Sequence, residues 1–519
     1  MSTTSERPEL FFAVVGAAGT RLSDLAKELR KALETFGYEA VDIRLSDLLK
    51  NYVGYTEQSQ LGEAERILHL QEVGNEFRAA LGDGAAVARA GMAAIRERRA
   101  SITGSPDCLA SSHAYILHQL KNPAEADLLR TVYGSSFALV AGHSPRGKRV
   151  EELARRMARV AAQPEQESRF RVDAERIIEN DEKQKDGLGQ NTRDTYPKAD
   201  FFANLGLEPG DGEMTILRFI ELLFGHPFHT PLPEEFMMYQ ASAVALRSSD
   251  DNRQVGAVVA NLVREGHNIR SAEVVASGMN EVPRARGGYY WHNDSPDNRD
   301  QALLARGEKR ATEIKESALA ELIGRIREKN WLGGPGMSKQ SDSELARALL
   351  AGLSGTQFMD IGEFSRLVHA EMAALIDAAR RGVPVDGHSL YVTTFPCHNC
   401  AKHVIAAGIR RVVYLEPYPK SRAGDLHREE ISLESVDGRE DETRVVFLPF
   451  SGIAPRQYRQ LFLMSERGAK KGNSISVWTS NKRSLVPVHV LRNASLAYLA
   501  AEAQEVAVLQ PNVYRKPSG

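Results

Sequence analysis

Val368-His369-Ala370-Glu371 and, downstream, Pro396-Cys397-His398-Asn399-Cys400 decide how this chain is read. The protein has three cysteines in all, and Cys397 and Cys400 stand here in C-x-x-C spacing with His369 upstream. Two thiolates and an imidazole suit zinc. Three protein ligands leave the fourth tetrahedral position open, which is the arrangement of a catalytic ion rather than a structural one. Glu371, two positions past the histidine, can carry a proton between a water at that open position and a leaving group. The candidate metal ligands are therefore His369, Cys397 and Cys400, and the candidate catalytic residue is Glu371. A C-x-x-C alone would equally suit a redox pair or half of a structural zinc site; the ordered combination carries the chemistry.

The flanking pattern supports this placement. Leu367, Ala370, Ala374, Leu375 and Ala378 recur at helical spacing across residues 364–379, which puts His369 and Glu371 in the first turns of a buried helix. Residues 390–394 read as a strand running into Pro396-Cys397, and residues 401–408 as a helix closed by Gly408. Each half of the site then starts a helix, where the dipole favours thiolates. H-x-E followed by P-C-x-x-C is the signature of zinc nucleobase deaminases, and this region resembles the cytidine and deoxycytidylate deaminase superfamily. The resemblance implies one catalytic Zn2+ on His369, Cys397 and Cys400, with Glu371 as proton shuttle.

Working outward, residues 234–246 read as a helix, 247–254 as a polar turn, and 255–259 and 273–277 as strands, with Gly278-Met279-Asn280-Glu281-Val282-Pro283 at the exit. This succession resembles the opening of the deoxycytidylate branch. The resemblance implies that Asn280 binds sugar or base and that Arg247, Ser249 and Asp251 lie near phosphates. After the motif, residues 411–415 read as a strand, and side chains beyond the carboxyl end of such a strand meet ligand. That places Tyr418, Lys420 and Ser421 to bind a substrate phosphate, a point charge and two hydroxyls being of little use to a bare nucleoside. Residues 288–361 depart from the compact pattern, with a charged helix at 308–329 and a glycine turn at 333–336. They read as an oligomer contact or a cover on the site. Residues 444–448 form a further strand. Residues 466–472 are a basic linker, and the alanine-rich helix at 494–508 packs on a neighbour.

The first half opens on a buried strand at 10–15, then Gly16-Ala17-Ala18-Gly19-Thr20-Arg21, a helix at 23–36 and a strand at 39–43. Strand, glycine turn, helix, strand is a βαβ unit whose turn can cradle phosphate on backbone N–H groups, with Gly16, Gly19, Thr20 and Arg21 as the nucleotide-binding candidates. Arg21 follows Thr20, with no lysine where the full P-loop pattern G-x-x-x-x-G-K-[ST] wants one, which removes the charge that activates a γ-phosphate. Residues 63–81, 85–98 and 113–120 are expected as helices, and 137–141 and 199–204 as strands. Residues 169–198 read as a solvated charged helix and loop, with a lid over phosphates as the functional alternative. His226 and His229, set among prolines, read as a packed linker rather than a metal site.

The 519 residues carry 66 Lys and Arg against 68 Asp and Glu, so no global field argues for a membrane or a polyanion. An RNA or single-stranded DNA editor needs a basic, aromatic-lined groove, and with aromatics at 7% no such tract is present. Few cysteines and no long apolar run indicate a reduced, cytoplasmic protein without a membrane span. The expected fold class is α/β. A degenerate P-loop kinase-like domain with a parallel sheet fills residues 1–215, followed by a linker at 216–233. A three-layer α/β/α cytidine deaminase-like domain follows at 234–465 with the insertion 288–361, and a tail and helix occupy 466–519. Taken together the chain resembles the bacterial anti-phage dCTP deaminases. That resemblance implies deamination of dCTP, and of dCMP, to uracil nucleotides, a homo-oligomer and an inhibitory small RNA partner. It leaves a nucleotide or Mg2+ as the N-terminal ligand.

Overall fold

The computed structural model describes residues 7–57, 62–183, 189–205, 211–265, 268–307, 310–331, 340–353, 365–417, 421–433, 443–464, 470–471, 474–475, 478, 482–488 and 497–515. Two sheets organise them. In the first, β1 (Leu10–Val15), β2 (Glu39–Arg44), β3 (His113–His118), β4 (Phe137–His143) and β5 (Phe201–Asn204) run parallel in the order β5-β4-β1-β3-β2. The second contains β6 (Gly256–Glu265), β7 (Asn268–Met279), β8 (Ser389–Thr394), β9 (Arg411–Glu416), β10 (Ile431–Leu433) and β11 (Val445–Pro449) in the order β10-β11-β9-β8-β6-β7. Its β10, β11, β9 and β8 are parallel, and the β6–β7 hairpin adds antiparallel to β8.

The labelled helices are α1 (Leu22–Thr35), α2 (Glu63–Leu81), α3 (Ala86–Thr103), α4 (Pro123–Tyr133), α5 (Arg146–Val160), α6 (Arg171–Lys183), α7 (Asp211–Leu223), α8 (Pro233–Ala245), α9 (Arg310–Glu328), α10 (Asp342–Gly352), α11 (Ala370–Arg381), α12 (His398–Ala406) and α13 (Ala497–Ala507). Period-two alternation sends Phe11, Ala13 and Val15 of β1 to one face, under α3, α4 and α13. Leu10, Phe12 and Val14 go to the other, under α1 and α7. In the second sheet, Val258 and Tyr391 meet α8 on one face, while Val259, Leu390 and Val392 meet α11 and α12 on the opposite face. Both halves are therefore α/β layers, as the hydrophobic runs predict.

Several elements depart from expectation. Residues 113–120 hold strand β3 rather than a helix: Ala114, Tyr115, Ile116 and Leu117 are all buried between β1 and β2, and a short apolar run does not by itself distinguish a core strand from a core helix. The stretch read as a linker begins inside α7, whose Ile216, Phe219 and Ile220 are buried with α1 against the first sheet. Residues 169–198 are not simply solvated, because α6 buries Ala174, Ile177, Ile178 and Asp181. The charged insertion helix is present as α9 and packs on α10 through Leu319, Ile323, Leu345 and Ala346; its glycine turn lies outside the described residues. His226 and His229 stack at 3.8 Å, and His229 Nε2 lies 2.6 Å from Glu221 Oε2. Lys482 donates to the other Glu221 oxygen, and the Phe228 N–H donates to His226 Nδ1, which places the neutral ring's proton on Nε2. Although these three groups lie within metal-ligand range of one another, both carboxylate oxygens and that imidazole nitrogen are already engaged. The cluster is a packed network.

Two late segments return to the first sheet. β12 (Gly452–Ile453) pairs antiparallel with β5 and forms its edge. Helix α13 finds its neighbour in α3 and α4, where Glu502 meets Arg99. Arg99 is wholly buried between Glu9, at 2.9 and 3.1 Å, and Glu502, at 2.5 and 3.2 Å. Among the described residues no helix is long and apolar enough to cross a membrane. Removing one partner of a buried ion cluster strands the others, so Arg99→Ala should lower the unfolding free energy by about 3–5 kcal/mol in urea titrations. Lys31→Ala, at the surface pair with Glu28, should cost about 1 kcal/mol or less.

Candidate metal centre

The β6–β7 hairpin places the site. Gly278 near the end of β7 faces the first turns of α11, where a Cβ would lie 2.3 Å from Ala374 N and 2.6 Å from Ala370 O. Only glycine admits that approach. The chain then crosses an isolated antiparallel bridge, Glu281 with Val368, whose backbone groups exchange hydrogen bonds at 3.1 and 3.2 Å. His369 follows with extended backbone as the N-cap of α11 rather than inside its first turn, and its carbonyl accepts from Ala373 N at 2.8 Å. Glu371 is then in the first turn, 4% exposed. On the other side, β8 delivers Cys397 as the N-cap of α12, with Cys400 in that helix's first turn.

The two helix starts converge. Cys397 Sγ and Cys400 Sγ each lie 3.4 Å from His369 Nδ1, and the three ligand atoms fall within 4.8 Å of one another. A tetrahedral zinc with ordinary Zn–N and Zn–S bonds separates nitrogen from sulfur by about 3.6 Å, so this donor set fits that ion without rearrangement. Zinc would be held by His369 Nδ1 and the two sulfurs.

The electrostatics are those of a tight polar cluster that runs from exposed His369 to buried Cys400. Burial, with the Cys397 sulfur's charge second, pushes the Glu371 carboxyl up to about 7. The Cys400 thiol's hydrogen bond holds Cys397 down at about 4, with His369 adding to it against the opposing effect of burial. Cys400 moves up for the same hydrogen bond and for its burial. His369 is raised, first by its bond to Cys397, with smaller contributions from the charges of Glu371 and Asp250.

The remaining candidates divide into groups. Ser421 Oγ donates to the carbonyl of Pro396 at 2.8 Å, next to Cys397; Tyr418 and Lys420 lie outside the described residues. Asn280 is buried beside the Glu281–Val368 bridge. Its side-chain Oδ1 accepts from Val255 N, and its side-chain Nδ2 donates to Asp250 Oδ2 and to Arg253 O. Ser249 N–H donates to Glu281 Oε2, and Asp251 is exposed. Arg247 is turned elsewhere. Its guanidinium lies 3.6 Å from the centroid of Trp291 and donates to the carbonyls of Tyr289 and Tyr290. It lines a cavity of about 610 Å³ together with Met279, Trp291, Val368, Asp377 and Arg380, which His369, Cys397 and Cys400 do not line. In the first half, Gly16, Gly19 and Thr20 form the turn after β1, and Arg21 donates to Leu205 O and caps α1. Asp250 and Glu281 were not singled out by spacing. Asp250 stands beside Asp251 in a polar turn and Glu281 pairs with Val368, and only the fold brings these segments to the neighbourhood of His369.

Residues 233–416, which contain all four motif residues, match a family model described as the cytidine and deoxycytidylate deaminase zinc-binding region. The chain is 48% identical over 54 residues to ComE operon protein 2 of Bacillus subtilis (strain 168), covering 10% of this chain and 29% of that protein. It is 44% identical over 57 residues to the deoxycytidylate deaminase of Enterobacteria phage T4, covering 11% and 30%. The human deoxycytidylate deaminase is 38% identical over 53 residues, covering 10% and 29%. These matches span less than a third of each relative's length. A solved dCMP deaminase from cyanophage S-TIM5, in complex with dCMP and dUMP, aligns over 42% of this chain and 98% of its own at 18% identity and a TM-score of 0.22.

Replacing a ligand should remove the metal and loosen the domain together. Cys397→Ala is expected to lower bound zinc from about one ion per chain to near none by elemental analysis. Cys108→Ala, at the exposed third cysteine, should leave it unchanged.

Proposed function

We propose that this chain hydrolytically deaminates the cytosine ring of deoxycytidine nucleotides, releasing ammonia and leaving the uracil nucleotide. The observation that carries this reading is the buried Glu371 carboxyl at the His369, Cys397 and Cys400 cluster, inside the stretch that matches the deaminase zinc-binding region. Zinc, when bound, supplies Lewis acidity that activates water near neutral pH. Glu371 does the proton work. With a carboxyl raised to about 7, it takes a proton from the attacking water and gives it to ring nitrogen N3 as oxygen bonds to C4. It then takes the proton of the new C4 hydroxyl and passes it to the amine, so that the C4–N4 bond breaks with release of ammonia and C4 is left as the carbonyl of uracil. Ser421, Ser249, Asp251 and Asn280 are the substrate-side residues of this reading, with Tyr418 and Lys420 for the phosphate.

The finer reading takes dCTP as the main substrate and depletion of that DNA precursor during phage infection as the purpose. It is supported by the union of a glycine-turn α/β half with a deaminase-like half. A second reading, a housekeeping dCMP deaminase with a fused regulatory domain, is favoured by the relatives, several of which are named deoxycytidylate deaminases. Ammonia release by the zinc-loaded protein offered dCTP, dCMP, CTP and deoxycytidine separately distinguishes them: preference for dCTP supports the first, preference for dCMP the second, and no release from any of the four removes both. Glu371→Ala is expected to retain zinc while losing about 10²–10⁴ in kcat; full turnover in the zinc-loaded variant would overturn the role given to Glu371.

A further inference from the structure

The turn after β1 holds an anion that belongs to the protein itself. Asp181, from the last turn of α6, is 3% exposed. Its Oδ2 accepts the Ala18 N–H at 2.8 Å and its Oδ1 accepts from Lys121 Nζ at 2.8 Å. The turn is shaped for close backbone approach. Gly19 has φ +86, and a Cβ there would lie 2.6 Å from the Arg149 carbonyl; a Cβ on Gly16 would lie 2.7 Å from the Gly142 carbonyl. Next to this pair the Thr20 hydroxyl oxygen is buried with no hydrogen-bond partner among the described residues. The position in the sheet is also a ligand position. β1 and β4 are neighbours, and their onward chains leave in opposite directions, from β1 to β2 at one side and from β4 to β5 at the other. Ligands occupy such crevices outside the carboxyl ends of the strands.

No lysine follows the glycines of this turn as the full P-loop pattern requires, but Lys121, just after β3, supplies an ammonium from another element. A backbone N–H, an ammonium and a hydroxyl around a tight glycine turn are donors suited to a phosphate group. Here the Asp181 carboxylate takes the first two, and the hydroxyl is left without a partner among the described residues. The helix that brings it is held by a small cluster separate from the two main faces of the sheet, with Ala174, Ile177 and Ile178 on Val150, Leu153, Ala154, Met157 and Ala18.

We propose that Ala18 N–H, Thr20 and Lys121 form a phosphate seat, and that Asp181 fills it as an internal counter-anion that a phosphate-bearing ligand must displace, moving α6. This stands independently of the deaminase reading. Its ligand chemistry is a polyphosphate, free or as the tail of a nucleoside triphosphate.

The test is calorimetric titration of the full-length, zinc-loaded protein with inorganic tripolyphosphate and, separately, ATP. An occupied seat lowers apparent affinity by the fraction of time it stands open, so Asp181→Ala should tighten tripolyphosphate binding by roughly tenfold or more. Adding Lys121→Ala should abolish that gain. Equal affinities for tripolyphosphate and ATP would mean the phosphate chain alone is read, and tighter ATP that a base is seated too; both support the seat. Binding by Asp181→Ala no tighter than by the unaltered protein, or a gain that survives loss of Lys121, would overturn it. Should Asp181→Ala fail to fold, hydrogen exchange on the unaltered protein decides. Saturating tripolyphosphate should speed exchange across residues 171–181, and unchanged exchange there would also overturn the proposal.

Discussion

Arg99 is the contact that the two ends of the chain share. One guanidinium, fully buried, bridges Glu9 at the entry to β1 and Glu502 on α13. A second guanidinium, Arg96, approaches Glu502 at 3.6 Å, and three phenols complete the cluster. Tyr133 donates to Glu502 at 2.5 Å, while Tyr115 and Tyr498 donate to Glu9. The Ala110 N–H adds a further donor to Glu9. Such a cluster adds little net stability over a well-packed apolar core, but it tolerates no missing member. It therefore specifies where α13 docks more than it strengthens the docking.

The second sheet is governed by steric exclusion instead. Its hairpin is pinned by a glycine on each strand. A Cβ at Gly256 would lie 2.0 Å from the Ala241 carbonyl of α8, and one at Gly278 would overlap the backbone of α11. Helices on opposite faces thus sit at backbone contact with β6 and β7, and their positions are set to a fraction of an ångström. For α11 this matters chemically, because its N-cap, His369, is a metal-ligand candidate and its second residue, Glu371, is the candidate proton carrier. A metal centre built from two helix starts and one strand end depends on that fixity more than on any single hydrogen bond.

What could be read in the sequence was what local spacing encodes. The metal triad and Glu371 lie close in sequence within each half, so the motif announced their geometry. The buried strands β1, β4, β8 and β9 were legible as apolar runs bounded by turn residues. Strand β3 was not, because Tyr115-Ile116-Leu117 carries no period and only the sheet on both sides decides it. Nothing local marks Gly452-Ile453 as an edge strand for β5, or Arg99, Glu9 and Glu502 as one cluster, since each partner is brought by a different part of the chain. Arg247 was placed near phosphate by the resemblance alone; its contacts with an aromatic face and two carbonyls come from residues 42–44 positions away, which no local spacing encodes.

The antiparallel pairing of β12 with β5 bears on how the protein is made. Strand β5 ends at Asn204, its edge partner is Gly452–Ile453, and α13 closes at Ala507. About 300 residues must leave the ribosome between the first and last of these, a wait of roughly 15–60 s at ordinary elongation rates. Throughout that interval the first sheet exposes the backbone groups of β5, and Arg99 and Glu9 lack Glu502. The region between them emerges in the meantime and has all three candidate metal ligands, His369, Cys397 and Cys400, before the N-terminal sheet has its last strand. The nascent half is thus an open-edged intermediate, the kind of species that pairs with whatever strand is nearest.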